Sequence, residues 1–144
     1  MTSTSGNTAF YSLHNLRSFV KFAIVGGVGV VINEGLLLAL IAAGFYLLLS
    51  SVIAIEVSIL TNFFMNDLWT FKDRRSGHIA VRLGKFNLLM LVGLVVNTAV
   101  LDLGTDYGMS AAVANLVGIG VAFIVRYLLS VKYAWTGYAP LEQL

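Results

Sequence analysis

Cysteine is absent from this chain, which excludes a disulfide framework, a thiolate metal site and a cysteine nucleophile. Proline occurs once, at Pro140 near the end, so none interrupts the apolar segments that make up most of the sequence. Charge is scarce as well. Asp, Glu, Lys and Arg make up 11% of the 144 residues, against 58% hydrophobic residues, and a soluble domain of this size must show more polar surface to water. The chain therefore reads as an all-α membrane protein. Its two histidines, His14 and His78, stand in polar flanks with no second ligand at metal-binding spacing, so no metal and no cofactor are expected. No nucleophile, base and orienting group occur together, so no enzyme is expected either.

What is there is long apolar sequence. Four runs, at about 19–43, 48–71, 86–103 and 109–131, each approach or exceed the roughly 20 residues needed to span a bilayer as a helix. They define a four-helix transmembrane domain over 17–135, between a mobile polar N-terminal tail (1–16) and a short C-terminal tail (136–144). The first run is too long, and lacks a clean cleavage site, to be a signal peptide. Arg17, Lys21, Lys72, Arg74, Arg75, Arg82, Lys85, Arg126 and Lys132 fall at one side of this arrangement and none at the other. Basic residues mark the cytoplasmic side. Both termini and the middle connection are thus expected inside the cell, with the protein in the cytoplasmic membrane. The basic connection reads as a topology determinant that touches anionic lipid, not as a nucleic-acid site.

The runs also read as two tandem helical hairpins, a candidate internal repeat. Lys21-Phe22, Gly29 and Asn33 recur as Lys85-Phe86, Gly93 and Asn97 with identical spacing. For the second and fourth runs, a shift of sixty residues sets Phe63 on Phe123, Asn66 on Arg126, Thr70 on Ser130 and Lys72 on Lys132.

Polar residues inside the apolar runs carry the functional reading. Asn62 and Asn66, four apart in NFFMNDLWTFK, share a helix face, and Arg126 lies roughly 25 Å along the fourth helix from Met109, near the cytoplasmic interface. Arginine's planar fork suits a phosphate while amides add hydrogen bonds; the competing reading makes Arg126 a snorkelling cation or a partner for Asp67. Lys21 and Lys85 stand nearby as further headgroup contacts. Glu34, roughly 20 Å beyond Lys21, and Glu56 are carboxyls in the outer half of the membrane, where desolvation is costly. With Asn33 and Asn97 they form a candidate polar pathway. The alternative is that Glu34 and Glu56 are protonated or snorkel outward, and that Asn33, Asn97 and Asn115 only bridge helices. The membrane glycines serve close packing and not a dinucleotide loop.

KFAIVGGVGVVIN in the first run, NFFMNDLWTFK closing the second, KFNLLMLVGLVVN in the third and FIVRYLLSVKY in the fourth resemble the GtrA-like family of small four-helix membrane proteins over nearly the whole chain after the tail. Members commonly carry arginine after the second asparagine, where this chain has Asp67; that cation is missing here or supplied by Arg126 or Arg74. The resemblance implies work on cell-surface polysaccharide or glycolipid synthesis, with a polyprenyl-phosphate-linked sugar as partner beside the membrane lipids. On this reading the chain flips that lipid across the membrane. The alternatives are a non-transporting membrane partner of a polyprenyl-phosphate glycosyltransferase and, third, a proton-coupled small-molecule exporter using Glu34. Four short helices leave little room for a polar route, which points to a homodimer.

Overall fold

The computed structural model of the chain describes the backbone of residues 4–137 and the side chains of residues 15–137; the two expected tails fall partly outside these residues. The described residues are helical, with no strand among them. They form α1 (Thr4–Ala42), α2 (Leu47–Met65), α3 (Ile79–Asp106) and α4 (Ala111–Leu129). A five-residue π-helical segment follows α2 at Asn66–Thr70 and another follows α4 at Ser130–Ala134, with a 3-10 turn at Lys72–Arg74. Asn15–Ala42, Leu47–Thr70, Ile79–Asp106 and Ala111–Ala134 are each long and apolar enough to cross a bilayer. The chain is a multi-pass membrane protein.

Two boundaries differ from those expected. α1 reaches back to Thr4, into sequence read as a tail, and α3 begins at Ile79 instead of 86, with Arg82 and Lys85 inside it. Charge marks the edge of hydrocarbon, but it does not end a helix. The Arg82 side chain turns back to donate from Nη1 to the carbonyls of Ser76 (3.1 Å) and Gly77 (2.7 Å), while Lys85 is exposed.

The chain divides into two compact units, Met1–Lys72 and Asp73–Leu144. Each is a helical hairpin, and the second repeats the first at a constant shift of 64 residues, from Gly44 to Gly108 at the turns. In the first hairpin Ser18, Phe22, Val25 and Gly29 are buried on α1; in the second, Arg82, Phe86, Leu89 and Gly93 are buried on α3. Ser50, Ala54, Ser58 and Phe63 on α2 likewise have buried counterparts in Ala114, Gly118, Ala122 and Tyr127 on α4. The repeat is therefore real, but the sixty-residue alignment of the second and fourth runs was one helical turn short. Asn62 corresponds to Arg126, and Asn66 to Ser130.

Local sequence explains each turn. Gly44 (φ 89°) and Gly108 (φ 87°) take the left-handed conformation that ends a helix. Around them the N–H of Phe45 reaches the carbonyl of Leu40 (3.1 Å) and that of Gly44 the carbonyl of Ile41 (2.9 Å); Met109 to Gly104 and Gly108 to Thr105 repeat the pair at 3.0 Å each. This is the Schellman arrangement, which satisfies terminal carbonyls without water. Small or polar side chains recur every fourth residue down the buried face of α2, so two backbones approach closely. At the far end of each hairpin an aromatic pair closes the seam: Phe22 with Phe71, ring centroids 6.0 Å apart, and Phe86 with Trp135, 5.6 Å.

Gly44→Ala and Gly108→Ala should each destabilise the protein by about 1–2 kcal/mol, the usual penalty for a side chain at left-handed φ. Gly27→Ala, where an added Cβ meets nothing within 4 Å, should leave stability unchanged or raise it by up to about 1 kcal/mol. Thermal unfolding of the three variants in one detergent checks both directions.

Candidate membrane headgroup site

In the first hairpin Ser50, Ser58, Asn62 and Asn66 lie along the packed face of α2. Ser58 is satisfied: its hydroxyl donates to the Gly29 carbonyl across the seam at 2.8 Å. One turn on, the Asn62 carboxamide lies over Gly29 so closely that a methyl group there would overlap it. Glycine at 29 is what admits the amide. Another turn on, Asn66 is buried where α2 passes into the π-helical segment. That segment is made by the Phe71 N–H, which bonds the Asn66 carbonyl at 2.8 Å, an i→i−5 link that inserts one residue into the turn. Thr70 is buried at its end. The Oδ1 atoms of Asn62 and Asn66 and the Oγ1 of Thr70 are all buried without a hydrogen-bond partner. Beside them Lys21 holds its ammonium over the Trp69 ring, 5.3 Å from the centroid.

The second hairpin places Arg126 at the position equivalent to Asn62. Its stem crosses Gly93, where a methyl group would overlap the Cδ and Nε atoms. The half-buried guanidinium donates from Nε to the Ala122 carbonyl (3.3 Å) and from Nη1 to the Met90 sulfur (3.7 Å). Those are its hydrogen bonds among the described residues, and neither acceptor carries charge. Asp67 and Arg74 are themselves buried and engaged.

The other expected site residues lie apart from these. Asn97 donates to the Asn115 Oδ1 at 3.4 Å, an interhelical bridge between α3 and α4, and its own Oδ1 is buried without a partner, as is that of Asn33. Glu34 on α1, Glu56 on α2 and Lys85 on α3 are exposed, turned away from the seam of their hairpin. Among the described residues no three His, Asp or Glu side chains converge on a metal position. Sequence reasoning missed Thr70, Ser130 and the seating role of Gly29 and Gly93. The four-residue spacing that links Asn62 to Asn66 continues to Thr70 and was the available signal.

Known proteins share this sequence. The GtrA/DPMS transmembrane-domain family matches residues 21–135, in agreement with the resemblance carried by the four motifs. A dolichol-phosphate mannosyltransferase of Pyrococcus furiosus is 45% identical over 116 residues, covering 81% of this chain and 33% of that protein. The chain spans about a third of that relative's length.

Replacing Ser58 by Ala should cost the first hairpin about 0.6 kcal/mol and at most ~1.7, the range for interhelical hydrogen bonds in membranes. Thr61→Ala, which removes only a bond to the Val57 carbonyl one turn back on α2 (2.8 Å), should be nearly neutral. Equilibrium unfolding in mixed detergent measures the difference.

Proposed function

The chain belongs to the GtrA/DPMS transmembrane-domain family, and on that basis we propose that it binds a polyprenyl-phosphate-linked sugar in the cytoplasmic membrane and carries its headgroup across, for polysaccharide or glycolipid synthesis. The observation that supports this reading is Arg126. A guanidinium within a membrane span is expensive, and it persists where it faces a functional partner. Here five N–H donors meet one backbone carbonyl and one thioether. A phosphate would supply the missing charge and take the remaining donors in a bidentate bond. Each hairpin adds headgroup contacts of its own on this reading, Asn62 and Asn66 with Lys21 in the first and Lys85 in the second. Both termini face the cytoplasm on this reading, and the isoprenoid tail stays in hydrocarbon. The chain contributes no catalytic step of its own.

The same proposal includes polar residues within each hairpin, Glu34 and Glu56 with Asn33 in the first and Asn97 in the second. Because both carboxyls are exposed and a carboxyl is costly against acyl chains, they need a covering surface, from a second copy of the chain or from a glycosyltransferase. The second reading, a membrane partner of such an enzyme with no transport, draws its support from the match to a third of a mannosyltransferase.

Liposomes containing the full chain should accelerate transfer of a polyprenyl-phosphate-linked sugar to the opposite leaflet. Arg126→Ala should weaken binding of that lipid at least tenfold, about 1.4 kcal/mol, and Arg126→Lys should retain part of it. Binding that depends on Arg126 without any transfer would leave the partner reading; binding indifferent to Arg126 would remove both.

A further inference from the structure

Most polar side chains in these hairpins find protein partners. Ser58, Thr61, Thr105 and Asn87 all donate to backbone carbonyls at 2.8–3.1 Å. Buried oxygens without a partner also occur at Asn33, Ser50, Asn97 and Ser130, but Asn62, Asn66 and Thr70 follow one another on a single face of one helix end. Among the described residues the Oδ1 atoms of Asn62 and Asn66 and the Oγ1 of Thr70 are buried without a hydrogen-bond partner, and Asn66 and Thr70 as whole residues are only 2% and 6% exposed. A threonine inside a helix ordinarily bonds the carbonyl four residues back, as Thr61 does with Val57. Thr70 stands in the π-helical turn, where the Asn66 carbonyl takes the Phe71 N–H at 2.8 Å, and its hydroxyl makes no such bond. Turns of this kind recur where a site needs backbone or side-chain groups released from helix bonding.

Three consecutive unpaired groups on one face, over about 12 Å of helix, carry a standing desolvation penalty that a packed seam has no reason to keep. Buried groups of this kind are satisfied by water or by a ligand. The ladder is uncharged: two carboxamides, each able to give and accept, and one hydroxyl. That is the pattern that reads sugar hydroxyls, and it differs from the cationic fork that reads phosphate.

We propose that the Asn62–Asn66–Thr70 face of the first hairpin is a water-accessible ladder that takes the hydroxyl groups of a carbohydrate headgroup, with Thr70 as a recognition residue. The carbohydrate part rests on the headgroup reading given above. The ladder separates recognition of the sugar from recognition of the phosphate, so the two respond differently to the same ligands.

The absence of cysteine from the chain permits a direct test. Single variants Asn62→Cys, Asn66→Cys and Thr70→Cys, in the full chain in liposomes, should react with a membrane-impermeant methanethiosulfonate at least tenfold faster than Phe64→Cys and Leu68→Cys. Those two positions are exposed on the outer face of the same helix end, and the attacking thiolate forms in water and not among acyl chains. A polyprenyl-phosphate-linked sugar should slow labelling of the three ladder cysteines at least threefold, and sugar-free polyprenyl phosphate should not. Thr70→Val, which breaks no protein hydrogen bond, should fold normally, lower affinity for the sugar-linked lipid severalfold and leave that for the sugar-free lipid unchanged; Thr70→Ser should restore it.

Ladder cysteines that label no faster than the controls overturn the proposal, as does equal protection by both lipids. If the sugar-linked lipid binds through Arg126 but leaves the ladder unprotected and Thr70→Val silent, this inference alone falls. If neither lipid binds the wild-type chain, the headgroup reading falls and the carbohydrate assignment falls with it.

Discussion

Both hairpins are organised around one contact, a glycine on the first helix receiving a polar side chain from the second. Gly29 seats Asn62, and Gly93 seats Arg126. In hydrocarbon two helices gain little from burying apolar groups against each other, because lipid tails serve as well as leucine. Close approach and polar bonding must do the work instead. The missing Cβ allows the approach, and the same space lets an amide or guanidinium lie inside the seam and not among acyl chains. Packing and polar function therefore draw on the same residues, and the large apolar side chains are left on the outside, where most are exposed.

That shared origin explains why the two hairpins differ where they do. Their turns, π-helical ends and most buried positions coincide at a shift of 64, as Gly29 to Gly93 and Phe71 to Trp135 do. The side chains that differ most in chemistry include those lying in the seam toward its aromatic end: Asn62 against Arg126, Asn66 against Ser130, Thr70 against Ala134. One hairpin keeps neutral hydrogen-bonding groups there and the other carries the charge. The fold tolerates either, because the aromatic pair and the small residues farther along hold each hairpin together.

How much of this the sequence disclosed follows from the physics of each feature. Four spans, their pairing into hairpins and the family were legible, because span length and glycine–asparagine spacing leave few alternatives. The repeat shift in the second half of each hairpin was not. A slip of four residues turns a helix by only slightly more than one revolution, so sixty and 64 preserve nearly the same apolar face, and only the observed neighbours of Gly29 and Gly93 separate them. The start of α3 was hidden because hydropathy reports where lipid ends, whereas Arg82 continues the helix and ties itself to the preceding carbonyls. Among the site residues, Asn62, Asn66 and Arg126 were found as amides and a cation in apolar surroundings. Thr70 was not, since a lone threonine normally satisfies itself within its helix and nothing in its neighbours announces the π-helical turn. Glu34 and Glu56 drew notice for their cost, yet which side of a helix they occupy depends on the seam, which sequence did not locate to the residue.

The two glycine-ended turns have a consequence for biosynthesis. Each connects its helices through four residues, 43–46 and 107–110, none of them charged. As the chain leaves the ribosome, nothing hydrophilic of any size has to be pushed through the bilayer for either pair of spans to enter. Each pair can partition sideways out of the translocation channel as a preassembled unit.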